Sequence, residues 1–101
     1  MVKALVKFPG EDFKIVEVEA DRVALEELLG GEISCYGITT DSMLVILKQR
    51  IMKPYNVKYL GFNVRGPLMV IGRGNGKWRD VPQPFIDGLP ACVEVNTQNE
   101  G

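Results

Sequence analysis

The sequence predicts an α+β fold: a mostly antiparallel sheet of about five to seven short strands, with one short helix (about residues 21–29) packed on a face. Short apolar segments separated by glycine, proline and other turn residues recur along the chain, which is typical of strands. Only residues 21–29 combine a capping residue, helical apolar spacing and a glycine stop. The 101 residues suffice for one modest core. We therefore expect a single domain over residues 1–95 and a frayed tail over residues 96–101.

The N-terminal part of the chain predicts a hairpin followed by the helix. Residues 3–8 and 13–19 favour strands, and the turn residues 9–12 between them favour antiparallel pairing. Asp21 can cap the helix and Gly30-Gly31 can end it. The apolar stripe that would face the sheet consists of Ala24, Leu25, Leu28 and Leu29.

The middle of the chain predicts further strands. Residues 32–38 favour a strand, and residues 43–47 form a continuous apolar run that predicts a central strand covered on both faces. Residues 54–56, which begin with a proline, favour a turn or loop. Residues 62–65 and 68–71 favour two short strands, which Gly66-Pro67 would separate.

The C-terminal part predicts a second hairpin. Residues 77–81 can pair with the strand that ends at Ile71, because Asn75-Gly76 is a strong signal for a type I′ turn. Trp78 on that strand can cover the end of the core with its ring. Beyond it, residues 85–89 favour a short helical turn and residues 93–95 a last strand.

Charge is distributed unevenly along the chain, although the net charge is only −1. Residues 1–47 carry nine acidic and four basic side chains, residues 48–79 carry eight basic and no acidic ones, and residues 80–101 carry four acidic and no basic ones. Such asymmetry can mark an anionic partner. It can also arise where a basic segment lies against acidic flanks or forms a solvated face, and the sequence leaves these possibilities open.

The composition argues against metal binding, cofactor binding and catalysis. The chain has no histidine, and its two cysteines, Cys35 and Cys92, lie far apart in sequence, so we expect no metal site, no cofactor and no catalytic residues. The protein is therefore predicted not to be an enzyme. No apolar run approaches the ~20 residues of a membrane span, and no secretory signal is visible. We expect a cytoplasmic protein with reduced thiols and no membrane partner.

The stretch GRGNGKWRD, residues 72–80, resembles a nucleotide-binding loop only superficially. A phosphate loop needs Ser or Thr after Gly-Lys, whereas Trp78 follows Lys77 here. A generic anion site formed by Arg73, Lys77 and Arg79 stays possible, and Trp78 could stack a base beside it. Binding of nucleic acid ranks lower, because the isoelectric point near 5.4 does not favour a domain that depends on phosphate neutralisation.

The order of these features resembles domain of unknown function 3846, found in small proteins of Gram-positive bacteria, their phages and mobile elements. The resemblance covers about residues 1–80 and rests on the Leu-Gly-Gly helix end at 29–31 and on the span from Pro54-Tyr-Asn56 to Gly66-Pro67-Leu68. Relatives often have a basic residue after the asparagine, where this chain has Val57. The family has no established activity, so the resemblance implies an accessory protein with a counter-defence role.

The sequence thus predicts a binding module whose partner is a host or phage protein with an acidic surface, or an anionic small molecule such as a phosphorylated one. Alternatives are a single-stranded nucleic-acid binding module and a homodimer or larger homo-oligomer without a ligand. The predicted ligand-binding residues are Asn56, Arg65, Arg73, Asn75, Lys77, Trp78 and Arg79.

Overall fold

The computed structural model describes residues 1–88, and the fold is α+β, as predicted. In chain order the elements are β1 (Val2–Lys7), β2 (Lys14–Val18), α1 (Arg22–Leu29), β3 (Ile33–Thr39), β4 (Ser42–Leu47), β5 (Tyr55–Tyr59), β6 (Phe62–Arg65), β7 (Leu68–Gly74), β8 (Lys77–Arg79) and α2 (Gln83–Asp87). The helical turn predicted over residues 85–89 corresponds to α2. Residue 89, the predicted strand 93–95 and the tail 96–101 lie outside the described residues.

Six strands form one antiparallel sheet in the order β2-β1-β7-β4-β3, and β8 pairs with the end of β7. Strand β7 pairs with β1 through residues 68–70 and with β8 through residues 72–74, so β8 continues along the same edge as β1. The two strands meet where the Val81 N–H donates to the Lys3 carbonyl at 2.8 Å. Strands β5 and β6 form a separate two-stranded hairpin.

The main sheet is covered on both faces, which explains the continuous apolar runs of its central strands. Helix α1 packs on one face, and the β5–β6 hairpin packs on the other together with α2. The helix-side core comprises Ala4, Val6, Val18, Leu25, Leu29, Ile33, Val45, Leu47, Met69 and Ile71. The hairpin-side core comprises Leu5, Leu44, Ile46, Val57, Tyr59, Val64, Leu68, Val70 and Val81. The prediction that residues 43–47 form a strand covered on both faces is confirmed.

Helix α1 begins and ends as the sequence predicts. The Asp21 carboxylate accepts a hydrogen bond from the Ala24 N–H at 2.8 Å, which satisfies one of the free donors of the first turn. At the other end, Gly30 adopts a left-handed conformation with φ of 93° and donates to the Glu26 carbonyl. No helix within residues 1–88 is long and apolar enough to cross a bilayer.

The prediction of a turn or loop at residues 54–56 is wrong, because β5 begins at Tyr55. The pairing of β5 with β6 shifts register between Tyr55 and Val57, so Asn56 occupies a bulge. Val57 and Tyr59 then alternate into the hairpin-side core. Pro54 favours a turn by local propensity, but it lies just before the strand. Packing of β5 against the hairpin-side core outweighs that local preference.

The second hairpin turns as predicted. Asn75 and Gly76 both have positive φ, at 53° and 72°, as a type I′ turn requires. The turn pairs Arg73 with Trp78, and Trp78 packs half-buried against the helix-side core. Trp78 therefore covers the end of the core, as expected.

Substitutions at Gly72 and Gly74 test how closely β7 and the end of β8 are packed. A Cβ on Gly72 would lie 2.1 Å from the Asp80 carbonyl oxygen, whereas a Cβ on Gly74 would approach only the Arg79 side chain, at 2.8 Å. We expect Gly72→Ala to lower the free energy of unfolding by about 3 kcal/mol through overpacking. Gly74→Ala, the matched control, should change it by less than about 1 kcal/mol because the arginine can move. Urea denaturation measures both, and equal midpoints would contradict this packing.

Candidate functional site

The basic residues of the second hairpin do not share one face. Lys77 and Arg79 lie opposite Gly74 and Gly72, whereas Arg73 lies opposite Trp78. Since directly opposed residues project from the same side of a sheet, Arg73 and Trp78 share one face and Lys77 and Arg79 share the other. The three basic residues considered for a generic anion site are therefore divided between two faces, with Arg73 on one and Lys77 and Arg79 on the other.

Both arginines of this hairpin are engaged in its own structure. Nη2 of Arg73 donates to the Thr39 carbonyl at 2.9 Å and lies 2.8 Å from the point that a Cβ on Gly37 would occupy. Arg73 thus connects β7 to β3 across the bare backbone of a glycine. Nε of Arg79 approaches the Gly74 carbonyl at 3.4 Å, a long contact within the hairpin.

A groove of about 820 Å³ lies on the helix-facing side of this hairpin. It is lined by residues 73–78, which include the predicted Asn75, and by Ala20, Thr40 and Met43. Its lining includes two basic residues, but Lys77 projects from the face of the hairpin opposite to that of Arg73 and Trp78. Of the residues that line the groove, Arg73 therefore supplies the positive charge that faces it, and its guanidinium also donates to the Thr39 carbonyl.

Asn56 connects the β5–β6 hairpin to the main sheet. Its Nδ2 donates to the carbonyls of Lys7, at 2.8 Å, and Gly66, at 2.9 Å. Its Oδ1 accepts from Nζ of Lys7 at 2.7 Å. Burial lowers the pKa of Lys7, although the carboxylates of Asp12 and Glu11 oppose this effect. All the hydrogen-bonding atoms that Asn56 would offer a ligand are used within the fold.

Arg65 belongs to a different surface, a cleft between the β4–β5 loop and the β5–β6 hairpin. The basic cleft has a volume of about 700 Å³. It is lined by Lys48, Gln49, Arg50, Ile51, Tyr55, Asn63 and Arg65. Of the predicted ligand-binding residues, the structure places only Arg65 here.

The guanidinium groups of the basic cleft are held in place by backbone carbonyls. Nη1 of Arg50 donates to the Leu47 carbonyl at 2.9 Å, and Nη1 of Arg65 donates to the Lys53 carbonyl at 3.0 Å. Each guanidinium has five N–H donors, so these contacts leave others available. The two salt bridges of residues 1–88 lie elsewhere, and no carboxylate in that range pairs with the cations of the cleft.

Sequence reasoning missed most of this cleft, namely Lys48, Arg50, Tyr55 and Asn63. The available signal was the segment 48–53, which opens the acid-free part of the chain with three cations. The hairpin returns residues 63–65 to this segment, where the Gly66 N–H donates to the Pro54 carbonyl at 2.9 Å. No pattern within a short stretch of sequence predicts that residues 63–65 lie next to this segment.

Cys35 lies half-buried beside the helix-side core as a free thiol. Burial raises the pKa of Cys35, an effect that Arg22 opposes and Glu26 reinforces. A thiol in this state is a poor nucleophile at neutral pH. Among the residues that the structure describes, no three acidic or thiol side chains gather into a group that could hold a metal ion.

The chain has no significant match among protein-family models, curated proteins or solved structures. The resemblance to domain of unknown function 3846 therefore stays a prediction.

Asn56→Ala should destabilise the protein by about 2–3 kcal/mol, since it leaves two backbone carbonyls and a lysine without their partner. Asn63→Ala is the matched control. It removes an exposed amide whose Oδ1 accepts one hydrogen bond from the Tyr55 hydroxyl at 3.3 Å. We expect it to change the free energy of unfolding by no more than about 0.5 kcal/mol. Urea denaturation compares the two variants, and an unchanged midpoint for Asn56→Ala would exclude a structural role of this amide.

Cys35 should react slowly with iodoacetamide at neutral pH, because its raised pKa leaves a smaller thiolate fraction. In a Cys92→Ser chain, the alkylation rate should rise to its plateau at a higher pH in the folded protein than in urea. The unfolded chain is the control for intrinsic thiol reactivity. A plateau at lower pH in the folded state would mean that the thiolate is stabilised there.

Proposed function

We propose that the protein is a non-enzymatic, cytoplasmic binding module that holds a phosphorylated small molecule in the basic cleft. The observation that carries this proposal is the placement of Lys48, Arg50 and Arg65 around one concave space without a paired carboxylate in residues 1–88. Three cations without a carboxylate partner in residues 1–88 attract an anion, and no ion pair within that range must break when it binds.

Phosphate suits this cleft in both chemistry and size. Arginine presents parallel N–H donors that match two oxygens of a phosphate, and a backbone carbonyl already orients each guanidinium. The volume of about 700 Å³ falls in the range of roughly 300–1,000 Å³ that small-molecule sites occupy.

Two observations support a non-enzymatic role in a reducing compartment. The chain has no histidine to act as a general base, and burial raises the pKa of the Cys35 thiol. Free thiols are typical of proteins in the cytoplasm. By its resemblance to domain of unknown function 3846, the protein would be a phage or mobile-element accessory protein that sequesters a phosphorylated signal of the host.

Calorimetric titration with pyrophosphate tests the proposal. We expect binding that weakens by about tenfold or more in Arg65→Gln, because one charge-assisted hydrogen bond contributes roughly 1.5–3 kcal/mol. Lys48→Gln, which alters an exposed side chain and leaves the backbone contacts intact, should also weaken it. Arg79→Gln, in the second hairpin, is the matched control and should bind as the unmodified protein does. Absent binding, or a loss confined to Arg73 and Lys77 variants, would contradict the assignment to this cleft.

A second candidate function is binding of single-stranded nucleic acid. Tyr36 and Phe62 are exposed near the cations of the cleft, and such aromatic side chains can stack bases. That function predicts affinity for an oligonucleotide that falls steeply with added salt, at a slope set by the number of phosphates neutralised.

A further inference from the structure

A small apolar pocket of about 200 Å³ adjoins the basic cleft. Arg50 and Asn63 line both spaces, so the two are neighbours. Leu44 and Ile46, both buried in β4, contribute to the pocket. Tyr36 of β3 and Phe62 of β6 also line it, and their side chains are 49% and 64% exposed. We refer to this space as the ring pocket.

The two aromatic residues reach the ring pocket from different sheets. Tyr36 lies opposite Leu44 in the β3–β4 pairing, and Phe62 opens β6. The volume exceeds the ~150 Å³ of a cavity that can hold benzene, so one six-membered ring fits and a much larger group does not. Aromatic walls favour a planar ring, with which they can make stacked or edge-to-face contacts.

We propose that the ligand is a phosphate ester carrying a single aromatic ring, such as a pyrimidine nucleoside monophosphate or an aryl phosphate. Its phosphate lies among Lys48, Arg50 and Arg65, and its ring lies between Tyr36 and Phe62. Arg50 contacts both parts, since its side chain lines both spaces. This inference rests on the proposed function of the basic cleft and adds the class of the ligand.

The experiment compares phosphate compounds that lack an aromatic ring with compounds that carry one. Inorganic phosphate and ribose 5-phosphate lack an aromatic ring, whereas phenyl phosphate and uridine 5′-monophosphate carry one. We expect the ring compounds to bind about tenfold more tightly, as one stacked ring contributes. Phe62→Ser and Tyr36→Ser should remove that advantage and leave the affinity for ribose 5-phosphate unchanged. Val23→Ser alters another exposed apolar residue, on α1, and is the matched control. This variant should still bind the aromatic compounds more tightly than ribose 5-phosphate.

The outcomes separate the two proposals. Equal affinity for ribose 5-phosphate and uridine 5′-monophosphate, still lost in Arg65→Gln, would overturn the ring pocket and leave the basic cleft supported. Failure of every phosphate compound to bind would overturn both. Binding of an oligothymidylate far more tightly than of the monophosphate, with strong salt dependence, would also overturn the small-molecule ligand and identify a single-strand site.

Discussion

The basic cleft depends on the Asn56 amide, which connects three parts of the chain. A bulge in β5 turns this side chain toward β1 and the β6–β7 turn, where it bonds the carbonyls of Lys7 and Gly66. Carbonyls that are shielded from water and lack partners are costly, so these part-buried contacts favour one position of the hairpin over the sheet. Because Arg65 lies on the hairpin and Arg50 on the preceding loop, that position also brings their guanidinium groups to one cleft.

Much of the fold follows from patterns that lie within short segments. Continuous apolar runs in β4 and β7 predict central strands, and the structure buries alternate residues of each on opposite faces. Asp21 and Gly30 set the ends of α1 through local hydrogen bonds. Asn75-Gly76 forms its turn because few other residue pairs tolerate positive φ at both positions. In each case the cause lies within a few residues of its effect.

The site could be predicted less well, because it depends on contacts between distant segments. Eight basic residues follow one another without an acid in residues 48–79, but strand register divides them among separate surfaces. Pairing with Trp78 directs Arg73 away from Lys77 and Arg79. Arg65 meets Lys48 and Arg50 only because a separate two-stranded hairpin folds back over the main sheet. The sequence indicated an excess of positive charge, and the topology determines where that charge is concentrated.

The layered topology also separates the acidic residues of α1 from the cations of the cleft. Helix α1, with its cap, carries Asp21, Glu26 and Glu27 on one side of the main sheet. The hairpin layer on the other side, residues 48–66, carries five basic residues and no acid. Packed layers lie about 10 Å apart, and at physiological ionic strength charges are screened beyond about 8 Å. Opposite charges on the two outer layers therefore interact weakly.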